Sequence, residues 1–178
     1  MNVSNTRKLV MCALMTAICF VVTRFISIPV FYTKGYVNLG DLVVLICAYV
    51  LGTWYGAAAA SIGSLIADAS MAFYIYIPAT FVIKGLMALV ASFFFAKEKQ
   101  TKSKHIMYIC IGAFLAETIM VLGYFVYEII LYKSVVVALA SVVGNLIQGI
   151  TCLVPAIMII IIFSKNYVIS SMLKKLNK

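Results

Sequence analysis

Between Lys8 and Lys165 the chain is a succession of long apolar runs separated by short polar connections, with few charges inside the runs. A helix of about 20 apolar residues crosses a bilayer core about 30 Å thick, whereas a soluble domain must cover its apolar side chains with polar ones. With 65% hydrophobic and 11% charged residues and a mean hydropathy of +1.14, the chain has no such cover. Soluble domains carry about 25% charged residues. A soluble enzyme is excluded, and 178 residues leave room for about six crossings and no soluble catalytic module.

The punctuation between runs places helices near 8–30, 39–53, 55–73, 77–95, 106–131 and 135–163, an all-α integral membrane protein forming one domain over 1–178. No duplicated half or low-complexity linker marks a second domain. Arg7 and Lys8 give the first run the basic flank of a signal peptide, but no small-residue cleavage site precedes Pro29, so it is read as a crossing.

The surplus of 14 Lys and Arg over 5 Asp and Glu would suit nucleic acid in a soluble protein. Here it follows membrane topology, and no nucleic-acid partner is expected. With six crossings, Arg7, Lys8, Lys97, Lys99, Lys102, Lys104, Lys165, Lys174, Lys175 and Lys178 share one side, and only Lys34 and Lys133 lie on the other. The positive-inside rule makes both termini and the basic AKEKQTKSKH loop cytoplasmic, in a cell membrane. That loop is read as a solvated topology determinant facing membrane lipid, with the single histidine, His105, at its end. Cys12, Cys19, Cys47, Cys110 and Cys152 lie in apolar runs without CxxC spacing and are read as small core residues.

No phosphate-binding GxxxxGK[ST] loop and no HExxH zinc spacing is present, so neither ATP hydrolysis by that route nor zinc catalysis is expected, and no cofactor is implied. The chain is read as a non-enzyme. Its chemistry lies in charges within the crossings, which are costly in lipid and face a bundle interior or a polar cavity. Arg24, Asp41, Asp68, Lys84 and Glu128 all map toward the outer half, as lining of one outward cavity or as separate interface charges. On helix five, Glu117, Val121, Tyr124 and Glu128 share a 4-3-4 spacing that puts them on one face. On helix six, Ser141, Asn145, Gln148 and Cys152 repeat it, with Gly144 and Gly149 beside them.

The two amides suit the ring nitrogens and carbonyls of a heterocycle, although such stripes also join helices to one another. The outer connections carry Phe31, Tyr32, Tyr36, Phe73, Tyr74, Tyr76 and Tyr132, a pattern of interfacial aromatics. Tyr32 and Tyr36 share a loop with Lys34, Gly35 and Asn38, the composition of a lid over a planar ligand. Ala13 and Ala17, and likewise Gly56, Ala60 and Ser64, have the small-xxx-small spacing that allows close helix approach, within the bundle or to another membrane protein.

Several of these segments, in order, carry a resemblance. ALMTA, GYVNLGDLVVLICAYVLGTWYGAAAASIGSLIAD, YIPATFVIKGLM, MVLGYFVYE and GNLIQG, spanning about Leu9 to Phe163, resemble the riboflavin-type substrate-binding S components of energy-coupling factor (ECF) transporters. The resemblance implies a six-helix vitamin binder without its own ATPase, docking onto a membrane coupling subunit that carries two cytoplasmic ATPases. It assigns Ala13 and Ala17 to partner docking. It places the ligand among the first loop and helices four to six, and thus near Tyr36, Asn38, Asp41, Lys84, Glu117, Tyr124, Glu128, Asn145 and Gln148.

The mixed acid, base and amide set favours pyridoxine or hydroxymethylpyrimidine, with riboflavin next. Two other readings are a homodimeric secondary transporter coupling protons through Glu117 or Asp68, and a structural membrane protein whose polar residues only join helices.

The charge distribution makes a direct prediction. In a background lacking the five native cysteines, a cysteine replacing Lys102 should resist an impermeant thiol reagent applied outside intact cells, and one replacing Lys34 should react. The opposite labelling pattern overturns the orientation.

Overall fold

The apolar runs become helices that end where Pro, Gly or a polar connection interrupts them. The computed structural model describes residues 3–30, 35–98 and 104–176. Within these lie α1 (Val3–Phe25), β1 (Ser27–Val30), β2 (Gly35–Asn38), α2 (Gly40–Leu51), α3 (Thr53–Ser70), α4 (Ile77–Glu98), α5 (His105–Tyr132), α6 (Val135–Lys165) and α7 (Tyr167–Leu176). Helices α1, α4, α5 and α6 contain stretches long and apolar enough to cross a membrane. By contrast α2, with 12 residues, rises only about 18 Å and is too short for a full crossing. The six expected helices are all present.

Three other expectations change. The first helix stops at Phe25 rather than near residue 30, because Pro29 has no N–H for a helix interior and its ring disfavours helical backbone before it. The segment joins an antiparallel hairpin instead, with Ser27 opposite Asn38, Ile28 opposite Val37 and Pro29 opposite Tyr36. The connection read as a loop over 31–38 is therefore strand from Gly35 onward, while Phe31, Tyr32 and Lys34 lie outside the described residues. Beyond the last expected helix, α7 adds a short amphipathic helix packed against α6, α1 and α2.

Helix α3 is the central element, packed against α1, α2 and α4. Its small residues make this possible. A Cβ on Gly56 would lie 2.8 Å from the Cys47 carbonyl oxygen, and one on Gly63 would lie 2.7 Å from both Cys19 Cβ and the Thr16 carbonyl oxygen. The Gly56, Ala60 and Ser64 series thus serves packing within the bundle, with all three buried. Gly52, the single residue between α2 and α3, takes φ 75°, a left-handed value that suits glycine at so sharp a reversal.

Helix α1 turns Met15, Cys19 and Thr23 inward at i, i+4, i+8 spacing. Cys19 Sγ lies 3.5 Å from Ser64 Oγ. Ala13 and Ala17 are exposed, on a surface shared with Val10, Leu14, Ile18 and Val21. The hairpin, the α3–α4 turn and the α5–α6 turn gather at one end of the bundle, called here the hairpin end.

A polar cavity at the hairpin end

Opposed helix directions let side chains far apart in sequence meet in layers. Helix α5 runs toward the hairpin end and α4 and α6 run away from it, so Glu128 is level with the starts of α4 and α6, and Glu117 lies about 16 Å further in. Nearest the end, Glu128 accepts from Tyr76 OH at 3.1 Å through Oε1 and from Ser141 Oγ through Oε2. Tyr76 OH also lies 3.0 Å from Tyr132 OH. Burial pushes the Tyr76 phenol up, and the adjoining Tyr132 hydroxyl and Glu128 carboxylate act in the same direction, which keeps Tyr76 a donor.

One turn further in, Thr80 Oγ1 and Tyr124 OH are 2.9 Å apart. Below them is an ion pair between Lys84 on α4 and Asp41 on α2, 3% and 0% exposed, the only one among the described residues. Asp41 Oδ2 also accepts from Gln148 Nε2 at 2.6 Å, and Lys84 Nζ lies 5.4 Å from the Tyr124 ring centroid. Gln148 Oε1 in turn accepts from the Asn38 backbone N–H at 2.9 Å and from Asn38 Nδ2 at 3.2 Å. Cys152 Sγ donates to the Asn38 carbonyl at 3.4 Å. The last residue of β2 therefore has both backbone polar groups satisfied by side chains one turn apart on α6. Asn38 Oδ1 accepts the Gly40 N–H at 2.6 Å where α2 begins.

These layers surround a cavity that is partly open to solvent. The expected residues Asn38, Lys84, Tyr124, Glu128, Asn145 and Gln148 line it. Asp41 lies behind Lys84 and outside the lining, and so does Glu117, whose two carboxylate oxygens have no hydrogen-bond partner among the described residues. Tyr36 is placed on β2, but its side chain lies outside the described residues.

Arg24 departs from the shared cavity expected of the five charges. It is next to Thr23 but about 100° around the helix, and its guanidinium lies over the Phe25 ring at 5.5 Å while Thr23 takes the inward position.

Sequence reasoning left out Thr23, Val37 and Thr80, read Ser64 only as a small packing residue, and treated Phe73 and Tyr76 only as interfacial aromatics. Single hydroxyls on apolar helices carry no periodic signal. The i+8 register of Thr23 with Met15 was the one available clue.

A family model described as ECF-type riboflavin transporter, S component, matches residues 3–165. An uncharacterised protein in a gap 3′ region of Pyrococcus woesei is 30% identical over 112 residues, 63% of this chain and 72% of the relative. A solved S component of a bacterial ECF transporter superposes with a TM-score of 0.67 at 20% identity, covering 91% of this chain and 99% of that one, a likeness of fold.

The network around Gln148 predicts a structural role. Gln148→Leu leaves Asp41 Oδ2 and the Asn38 N–H without partners, and each unsatisfied buried group costs about 1–3 kcal/mol. The ligand-free variant should therefore melt several degrees lower, whereas Asn145→Ala should melt like the wild type. Equal melting temperatures for all three proteins would overturn this division.

Proposed function

Since the chain belongs to the S-component family of ECF-type riboflavin transporters, we propose that it captures a small heterocyclic vitamin or vitamin precursor in the cavity at its hairpin end. Members of this family are substrate-binding components of membrane transporters, not enzymes. The observation that carries the reading is the cavity itself, a polar chamber lined from β2 and from α1, α3, α4, α5 and α6. One amide in it, Asn145, makes no hydrogen bond to the described residues and is free to bond a ligand's ring nitrogen or carbonyl.

The hairpin end faces outside, by the distribution of basic residues, and the molecule acts as one six-helix unit in a bacterial plasma membrane. The ligand is a pyridine or pyrimidine such as pyridoxine or hydroxymethylpyrimidine, with riboflavin the alternative. Aromatic rings gather at one end of the cavity around Phe73, Tyr76 and Tyr124, a small stacking surface beside an acid, a base and an amide. The exposed Ala13 and Ala17 surface docks onto a membrane coupling subunit that works with two cytoplasmic ATPases. One observation favours a second reading, a proton-coupled homodimeric transporter: the buried Glu117 carboxylate has no hydrogen-bond partner among the described residues. Uptake that needs the ATPases and persists without a proton gradient would exclude it.

Two variants test the assignment together, by calorimetric titration of the purified protein and by uptake in cells that contain the ATPase module. Asn145→Ala should weaken heterocycle binding by about five- to thirtyfold, the loss expected for about one or two kcal/mol of hydrogen bonding. Ala13→Leu combined with Ala17→Leu should leave binding intact and abolish uptake. Unchanged affinity in the first variant would remove Asn145 from the site, and joint loss of binding and uptake in the second would make the alanine pair internal packing.

A further inference from the structure

The charges around the cavity are not evenly compensated. Lys84, Asp68 and Glu128 are the charged residues in its lining. Lys84 is held by Asp41, whose other oxygen is held by Gln148, so this cation is already neutralised and offers an incoming anion little net charge. Glu128 is in the opposite situation. It is 4% exposed, its oxygens accept only from the neutral hydroxyls of Tyr76 and Ser141, and no Lys or Arg among the described residues comes within ion-pair distance. A buried carboxylate supported by hydroxyls alone keeps most of the penalty of leaving water unless a cation joins it.

The surroundings suit such a cation. Tyr76, which donates to Glu128, lies 6.5 Å from Phe73 and 6.4 Å from Tyr124 between ring centroids, and aromatic faces attract positive charge. A second, independent group is unsatisfied in the same cavity. Thr23 Oγ1 lines it, is in a residue only 2% exposed, and has no hydrogen-bond partner among the described residues. Its hydroxyl and the free Asn145 amide can each donate or accept, so they offer polar partners to the rest of a ligand whose donor edge meets Glu128.

Resting on the reading of this cavity as the vitamin site, we propose that it selects heterocycles that bind as cations, with Glu128 receiving the charged edge of the ring. The class comprises small donor-bearing rings with a quaternary or protonated nitrogen, which narrows the pyridines and pyrimidines proposed above to their cationic members and ranks pyridoxine itself behind them. Anionic vitamins fall outside it, and neutral flavins bind less tightly.

The test is a charge-graded panel titrated calorimetrically into the purified full-length protein at pH 7: thiamine and pyridoxamine as cations, riboflavin and pyridoxine as uncharged or zwitterionic rings, nicotinate and biotin as anions. The tightest binder should be a cation, at least tenfold ahead of the best non-cation. Glu128→Gln, checked by its ligand-free melting temperature, should reduce that lead to less than threefold. The ranking itself needs no variant, so it decides the matter even where Glu128→Gln fails to fold. Tightest binding by riboflavin, pyridoxine or an anion, or an undiminished lead in a folded Glu128→Gln, overturns the charge selection while leaving the vitamin site standing. Absence of binding across the panel, with no small molecule co-purifying, overturns the site and the selection together.

Discussion

The buried pair between Lys84 and Asp41 is the interaction on which the arrangement of the hairpin end depends. Two charges deep in an apolar bundle are costly to desolvate, and they persist only when their remaining hydrogen-bonding capacity is met. Asp41 meets it with Gln148, and Gln148 meets its own with Asn38. One ion pair therefore fixes α2 against α4, then α6 against both, and finally the end of the hairpin against α6. Removing one partner leaves an uncompensated charge, which in other buried pairs costs about 3–5 kcal/mol. The pair joins segments distant in sequence, and it supports the floor of the cavity rather than forming its open wall.

This arrangement divides the polar stripe of α6 by role. Gln148 and Cys152 are occupied by the backbone of Asn38 and by Asp41, whereas Asn145, one turn nearer the hairpin end, has no such partner. Ser141, a further turn along, supports Glu128. The same 4-3-4 spacing thus holds two structural residues, one residue free for a ligand and one that orients a carboxylate. Periodicity identifies a face but not its occupants. The occupants are set by which residues of α2, β2 and α5 arrive opposite it.

That distinction explains how far the sequence carried. Reading the apolar runs located α5 and α6 to within two residues, because long apolar runs bounded by polar connections leave little freedom. It also brought Lys84, Tyr124, Glu128, Asn145 and Gln148 to one cavity, because charge and amide within apolar helices have few places to go. It missed the hairpin, because the first helix was carried across Pro29 to about residue 30, although a proline suits an edge strand better than a helix interior. It missed Thr23 and Thr80, since a hydroxyl on an apolar helix commonly bonds its own backbone and betrays no site. It overestimated Arg24, because depth along a helix says nothing about the direction around it.

The two small-xxx-small series make the same point at the level of surfaces. Gly56, Ala60 and Ser64 lie on a helix with neighbours on three sides, so close approach there is used within the chain. Ala13 and Ala17 lie on α1, whose buried stripe of Met15, Cys19 and Thr23 leaves its other faces uncovered. Identical spacing is buried on α3 and exposed on α1 because the two helices have different neighbours. Helix α1 is also continuous with the hairpin through Ile26 and contributes Thr23 to the cavity. The cavity and the exposed alanine face are therefore joined by one continuous helix.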